Sequence, residues 1–120
     1  MFDKNKIPTE TPRQVHDAMQ RGEIILIDVR EPAEYAAERI HGALLFPLST
    51  FDPKALPDAV GKALIFQCGS GKRSEAAYDK AVSGGVTVRA HMGGGIGAWK
   101  AAGLPTISFD PATGIVVDRK

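Results

Sequence analysis

The chain has 120 residues, enough for one domain, with 43% apolar and 24% charged residues and a net charge of +1. Basic and acidic residues are interleaved, which excludes the basic footprint of a nucleic-acid binder and the polybasic patch of a membrane-surface protein. Apolar runs are too short to cross a bilayer, and the single cysteine, Cys68, excludes an internal disulfide or a two-cysteine redox pair.

Residues 1–10 carry no apolar stretch of the kind a secretory leader needs, so the expected compartment is the cytoplasm. Thr11-Pro12-Arg13-Gln14 is a helix start: Thr11 caps, Pro12 suits the first helical position and Gln14 completes a capping box. Val15, Ala18 and Met19 then share a face, and Gly22 ends the helix. The run EIILIDVR predicts a buried strand. Glu31–Arg39 is expected as a short helix behind Pro32, Ala43–Phe46 as a second strand, and Ser49–Leu56 as a helical turn or two. Ala63–Gln67 predicts another buried strand, Gly71–Ser83 a helix, Val86–Ala90 a fourth strand and Gly95–Ala102 a helix stopped by Gly103 and Pro105. Such alternation, with near-continuous apolar strands, predicts an α/β fold: a mainly parallel sheet with helices on both faces. The tail differs, because two short alternating runs flank Asp110–Gly114 and predict a hairpin.

Two glycine motifs lead nowhere. Gly71-Lys72 fails as a phosphate-binding P-loop, since Phe66 stands where the first glycine belongs and Arg73 where Ser or Thr follows the lysine. Gly93 to Ala98 fits a loose GxGxxA, but a dinucleotide site needs another strand with a ribose-binding acid about twenty residues on, and only the hairpin follows.

The stretch QCGSGKRSEA, residues 67–76, carries the chemistry. Ligands of a parallel α/β sheet bind beyond the carboxyl ends of its strands, and Cys68 falls at such an end. Taken alone, a lone cysteine is most often a small buried apolar residue. Here Gly69 and Gly71 permit the positive φ angles that curl backbone N–H groups into an anion nest, the following helix start adds partial positive charge, and Lys72 and Arg73 add two full charges. An unperturbed thiol is only a few per cent thiolate at neutral pH. Lowering its pKa by about two units takes roughly 2.7 kcal/mol, within reach of a helix terminus, a neighbouring cation and amide hydrogen bonds together. The loop therefore suits a nucleophilic thiolate and an anionic substrate.

Four segments, in order, resemble the rhodanese family of sulfurtransferases over residues 9–107. They are Ile27 to Tyr35 (IDVREPAEY), Arg39 to Ala43 (RIHGA), Cys68 to Ser74 (CGSGKRS) and Gly94 to Pro105 (GGIGAWKAAGLP). The resemblance implies a five-stranded, mainly parallel sheet between helices, and transfer of sulfane sulfur. The Cys68 thiolate would attack the outer sulfur of a small anionic donor such as thiosulfate, leaving a persulfide for a thiol or cyanide acceptor, a small redox protein being one candidate. It implies that Arg73 binds the donor and the departing sulfite, that Lys72 attracts the anion, that Gly69, Ser70, Gly71 and Ser74 form the rest of the cradle, and that Asp28 and Arg30 support it as a charge pair. No metal or cofactor is implied. Cys68 and Arg73 have four residues between them, whereas the related phosphatase and arsenate-reductase loops carry five, which favours sulfur over phosphorus chemistry. Departures from the family pattern are Gly69 after the cysteine, His41 where proline is common, and Gly93 before the glycine pair.

The expected organisation is one domain over residues 1–120, with 108–120 as a C-terminal hairpin extension. Glu34, Tyr35 and Glu38 are expected on an amphipathic surface helix, Trp99 in the core, His16 on a solvated face, and His41 and His91 in loops. The alternatives to an enzyme are a persulfide carrier that docks on a partner enzyme, and a low-pKa redox sensor.

Overall fold

Period-two alternation along two buried strands decides which residues face each layer. In the computed structural model, which describes residues 7–118, Ile24–Asp28 (β2) and Ala63–Gln67 (β5) lie parallel, with Ile24 opposite Ala63 and Asp28 opposite Gln67. Thr9–Glu10 (β1), Leu44–Leu45 (β4) and Ala90–Met92 (β6) complete a five-stranded sheet in the order β1-β6-β5-β2-β4, with every pairing parallel. Ile24, Leu26 and Ile65 pack on one face against Val15 and Ala18 of helix α1 (Pro12–Gln20) and Ile96 and Trp99 of α4 (Gly95–Ala101). Ile27, Val29, Leu64, Phe66 and Cys68 pack on the other against Ala77, Tyr78 and Ala81 of α3 (Lys72–Ser83). A parallel sheet buried on both faces is the expected α/β architecture.

The capping box of α1 forms as its sequence requires: Gln14 N–H donates to Thr11 Oγ1 at 3.1 Å and Thr11 N–H to Gln14 Oε1 at 2.9 Å. Two 3₁₀ turns, Leu48–Thr50 and Pro53–Ala55, occupy the expected helical-turn region.

Three expectations need correction. Helix α2 covers only Pro32–Ala37, and Glu38–Arg39 is an extended strand, β3. Tertiary contacts override helix propensity there: the Arg30 guanidinium donates to Glu38 O at 2.7 Å, and the Glu38 carboxylate receives Lys100 and Thr106. Glu38 is thus not a helix-surface residue. Strand β3 pairs antiparallel with Ile107–Asp110 (β7), which forms the predicted hairpin with Ile115–Asp118 (β8), giving a second, three-stranded sheet. The strand expected at Val86–Ala90 lies later, at Ala90–Met92, because residues 86–89 bridge from the end of α3 to the sheet. Val86 N–H is still bonded to Ala81 O, and pairing with β1 starts at His91. Strand β1 has only two residues, too few for a periodic signal.

No helix among the described residues is long and apolar enough to cross a membrane. Part of the segment read as lacking a leader, residues 1–6, lies outside the described residues.

Candidate active site

Strand β5 ends at Gln67, and Cys68 to Gly71 make the turn into α3. Gly71, the N-cap, sits at φ 107°, a left-handed conformation that L side chains rarely adopt. Gly69 does not share it, contrary to expectation; a Cβ added there would meet the Arg73 guanidinium at 3.1 Å. The curled turn aims Gly71 N–H at Cys68 Sγ, 3.0 Å away. Ser74, in the first turn of α3, brings its hydroxyl to 3.6 Å from the sulfur.

Cys68 is wholly buried. Burial alone pushes its thiol up, but the Ser74 hydroxyl and the backbone N–H groups of Ser74, Gly71 and Ser70 more than reverse this, leaving the thiol below its ordinary value. Ser70 therefore serves through its backbone; its side chain is exposed.

The loop is braced from behind. Ile96 N–H donates to Cys68 O at 2.8 Å, and Gly97 N–H to Gly69 O at 3.1 Å. Two free amides at the start of α4 are thereby satisfied by loop carbonyls. The approach is so close that a Cβ on Gly95, itself at φ 58°, would lie 2.0 Å from Cys68 O. The glycine run of residues 93–95 is thus more than a tight turn: it lets one backbone press on another.

The expected site residues fall into two sets. Cys68, Gly69, Ser70, Gly71, Lys72, Arg73 and Ser74 form one continuous loop and helix start, with Lys72 exposed at its rim. Asp28 and Arg30 form the expected charge pair, both buried, with guanidinium-to-carboxylate distances of 2.9–3.1 Å. Their direct contacts run to the backbone of Arg30 and to Glu38 O, pinning β3 to the end of β2.

Two residues of the site were not anticipated. Glu34, expected on a helix surface, grips Arg73 in a bidentate pair at 2.6 and 3.0 Å. The Arg73 hydrogen bonds hold its carboxyl down at about 2 against the opposing effect of partial burial. Nothing local in the sequence links residues so far apart. His91, expected in a loop, lies in β6, buried, with Nδ1 2.9 Å from Ser74 Oγ. Its position at the carboxyl end of a strand was the available signal. His41 is elsewhere: with His16, Trp99 and Asp118 it lines a half-open cavity of about 600 Å³ that no residue of the cysteine loop borders.

The sequence profile of the rhodanese-like domain matches residues 11–102. An uncharacterized protein of Synechocystis is 42% identical over 82% of this chain, which spans only 55% of that relative. The thiosulfate:glutathione sulfurtransferase of Saccharomyces cerevisiae is 31% identical, with 67% of each chain covered. The crystal structure of a thiosulfate sulfurtransferase from Pseudomonas aeruginosa superposes with a TM-score of 0.72 at 28% identity, covering 84% of this chain and 19% of that one.

Proposed function

The chain belongs to the rhodanese-like domain family, and from that premise we propose that it is a sulfurtransferase working through a persulfide on Cys68, with thiosulfate or a similar anion as donor. The observation that carries this reading is the sulfur itself, at the end of β5, receiving the Gly71 N–H at 3.0 Å under the Ser74 hydroxyl. Donors aimed at that sulfur favour the thiolate and, after reaction, a persulfide anion in its place.

In the first half-reaction the Cys68 thiolate attacks the outer sulfur of the donor. A new S–S bond forms, the old one breaks, and sulfite leaves with the electron pair. In the second, an acceptor thiolate or cyanide takes the outer sulfur and returns the pair to Cys68. Arg73 holds its planar guanidinium beside Gly69, anchored by Glu34, with N–H groups left over for the anion. Lys72 at the rim raises the local concentration of anions, and the Asp28–Arg30 pair supports the neighbouring loops. The wholly buried sulfur favours slender donors and acceptors. The yeast relative's name pairs thiosulfate with glutathione, which supports a low-molecular-weight thiol as acceptor here. An unpaired cysteine used as a nucleophile suits a reducing compartment such as the cytoplasm. We read residues 1–120 as one such domain carrying a C-terminal hairpin.

The test is the intact mass after incubation with thiosulfate, for wild type and Cys68→Ala. The expected result is a gain of one sulfur atom, reversed by cyanide and absent in the variant. No gain from thiosulfate but a gain from a cysteine desulfurase would replace the thiosulfate-using enzyme with a persulfide carrier. No gain from either would overturn sulfur transfer.

A further inference from the structure

The sulfur-transfer reading leaves the buried imidazole beside the cysteine loop unused. His91 sits in β6 with its Nδ1 2.9 Å from Ser74 Oγ, and the same oxygen lies 3.0 Å from Gly71 O and 3.6 Å from Cys68 Sγ. A hydroxyl has one hydrogen to give and two lone pairs to fill. The Gly71 carbonyl can only accept, and it already receives Glu75 N–H at 3.2 Å. A Cys68 thiolate can also only accept. If Nδ1 presented a lone pair as well, three acceptors would compete for one hydrogen while the hydroxyl lone pairs found no donor. If Nδ1 carries the proton, the count improves: His91 donates to a Ser74 lone pair, and the Ser74 hydrogen is left to the Gly71 carbonyl, to which it donates at 3.0 Å, and to the sulfur at 3.6 Å, with no third acceptor drawing it away. Donation into the oxygen also polarises the O–H and strengthens its bond to the thiolate.

We propose that His91 is a positioning residue for Cys68, donating from Nδ1 to Ser74 Oγ so that the Ser74 hydrogen stays on the side of Gly71 O and the sulfur, shared between them, instead of being drawn to the imidazole. It deepens the sulfur-transfer reading, since the same hydroxyl would serve the persulfide anion. The charged groups around the chain of bonds are Arg73 and Glu75 on α3, Glu34 on α2 facing Arg73, and Asp28 at the end of β2. Arg73 favours the thiolate. Burial pushes the His91 imidazole below its ordinary value, with Glu75 opposing, so the group acts as a neutral tautomer.

Because the chain has a single cysteine, the ultraviolet absorbance followed against pH, with the Cys68→Ala titration subtracted to remove the tyrosine contribution, reports the Cys68 thiolate. His91→Leu removes the donor and is expected to lower the thiolate fraction near neutral pH roughly three- to tenfold. His91→Asn, whose amide N–H can stand where Nδ1 stood, is expected to restore it to within about twofold. In a Ser74→Ala background His91→Leu is expected to add nothing, since its effect passes through the hydroxyl. An unchanged titration in His91→Leu, or an equal shift with and without Ser74, would overturn the proposal. Should the leucine variant fail to fold, nitrogen NMR of the wild-type imidazole decides the matter. A proton on Nδ1 while Cys68 is ionised is the expected result, and a proton on Nε2 alone would refute it. None of these readouts uses sulfur transfer: a thiolate that titrates as described but never takes up sulfur would sink the function and leave the role of His91 standing.

Discussion

Helix electrostatics disfavour cations in a first turn, yet Lys72 and Arg73 open α3. The conflict is resolved by anions brought from elsewhere in the chain: the Cys68 sulfur within the turn and Glu34 from α2. A local rule broken and compensated at long range marks a functional site. Arg73 stood out in the sequence as a cation in the cysteine loop, and the resemblance of that loop supplied its expected role. Glu34 did not stand out, because the partners are 39 residues apart and a helical glutamate is ordinarily solvated. The bidentate geometry needs a planar fork, which lysine lacks. Arg73→Lys is therefore expected to lower kcat/KM for thiosulfate about tenfold or more. Glu34→Gln should lower it by about threefold, since the charge stays and only its orientation is lost. Steady-state kinetics with thiosulfate and cyanide check both, and a gain in kcat/KM for Glu34→Gln would show that Glu34 restrains the cation rather than aiming it.

Among the elements, those with a full periodic or capping signal were read closely: α1 with its capping box, β5 to the residue, and α3 to within its N-cap. The two-residue strands β1 and β3 were missed because their pairing is decided by partners distant in sequence. The start of α4 carries the strongest element-level prediction. Ile96 and Gly97 donate to the carbonyls of Cys68 and Gly69, which requires Gly95 to lie against that backbone. Gly95→Ala would place a methyl group 2.0 Å from Cys68 O, at a φ of 58° that alanine already resists. A backbone-on-backbone clash is not relieved by a rotamer change, so a loss of about 3 kcal/mol or more is expected by urea unfolding, together with loss of the Cys68 thiolate signal. A variant of near-wild-type stability would mean that the brace is slack.

At the scale of the whole molecule, the parallel sheet with helices on both faces followed from alternation of strand and helix signals. The second sheet did not, because β3 lay inside a stretch with a helical pattern and only the hairpin half was visible. Three groups of the site make stability depend on pH in one direction. The Glu34 carboxyl is lowered from 4.5 to about 2, chiefly by Arg73, so its contribution is full above 4.5 and is lost as pH falls toward 2. His91, lowered from 6.5 by burial, adds stability that is full above 6.5 and fades below it as the neutral ring is forced to take a proton. Burial opposes ionisation of Cys68, but its hydrogen-bond donors prevail and lower it from 9.0. Its contribution therefore grows as pH rises toward 9.0 and is absent below its folded value. Urea midpoints are thus expected to rise from acid to mildly alkaline pH, and the alkaline part of the rise should vanish in Cys68→Ala. A flat wild-type profile between neutrality and pH 9.0 would contradict the donor set assigned to the sulfur.

Strand β6 lies between β5 and β1, with His91 opposite both Phe66 and Thr9, so the histidine is seated only when segments far apart in sequence have paired. Such distant pairing forms late, after the entropy of closing a long loop has been overcome. While the protein is being made, the sulfur-bearing turn leaves the ribosome well before His91, Ile96 and Gly97 do. Until they follow, Cys68 lacks the carbonyl bonds and the histidine that complete its surroundings in the finished fold, and this chemistry belongs to the completed chain rather than to the nascent one.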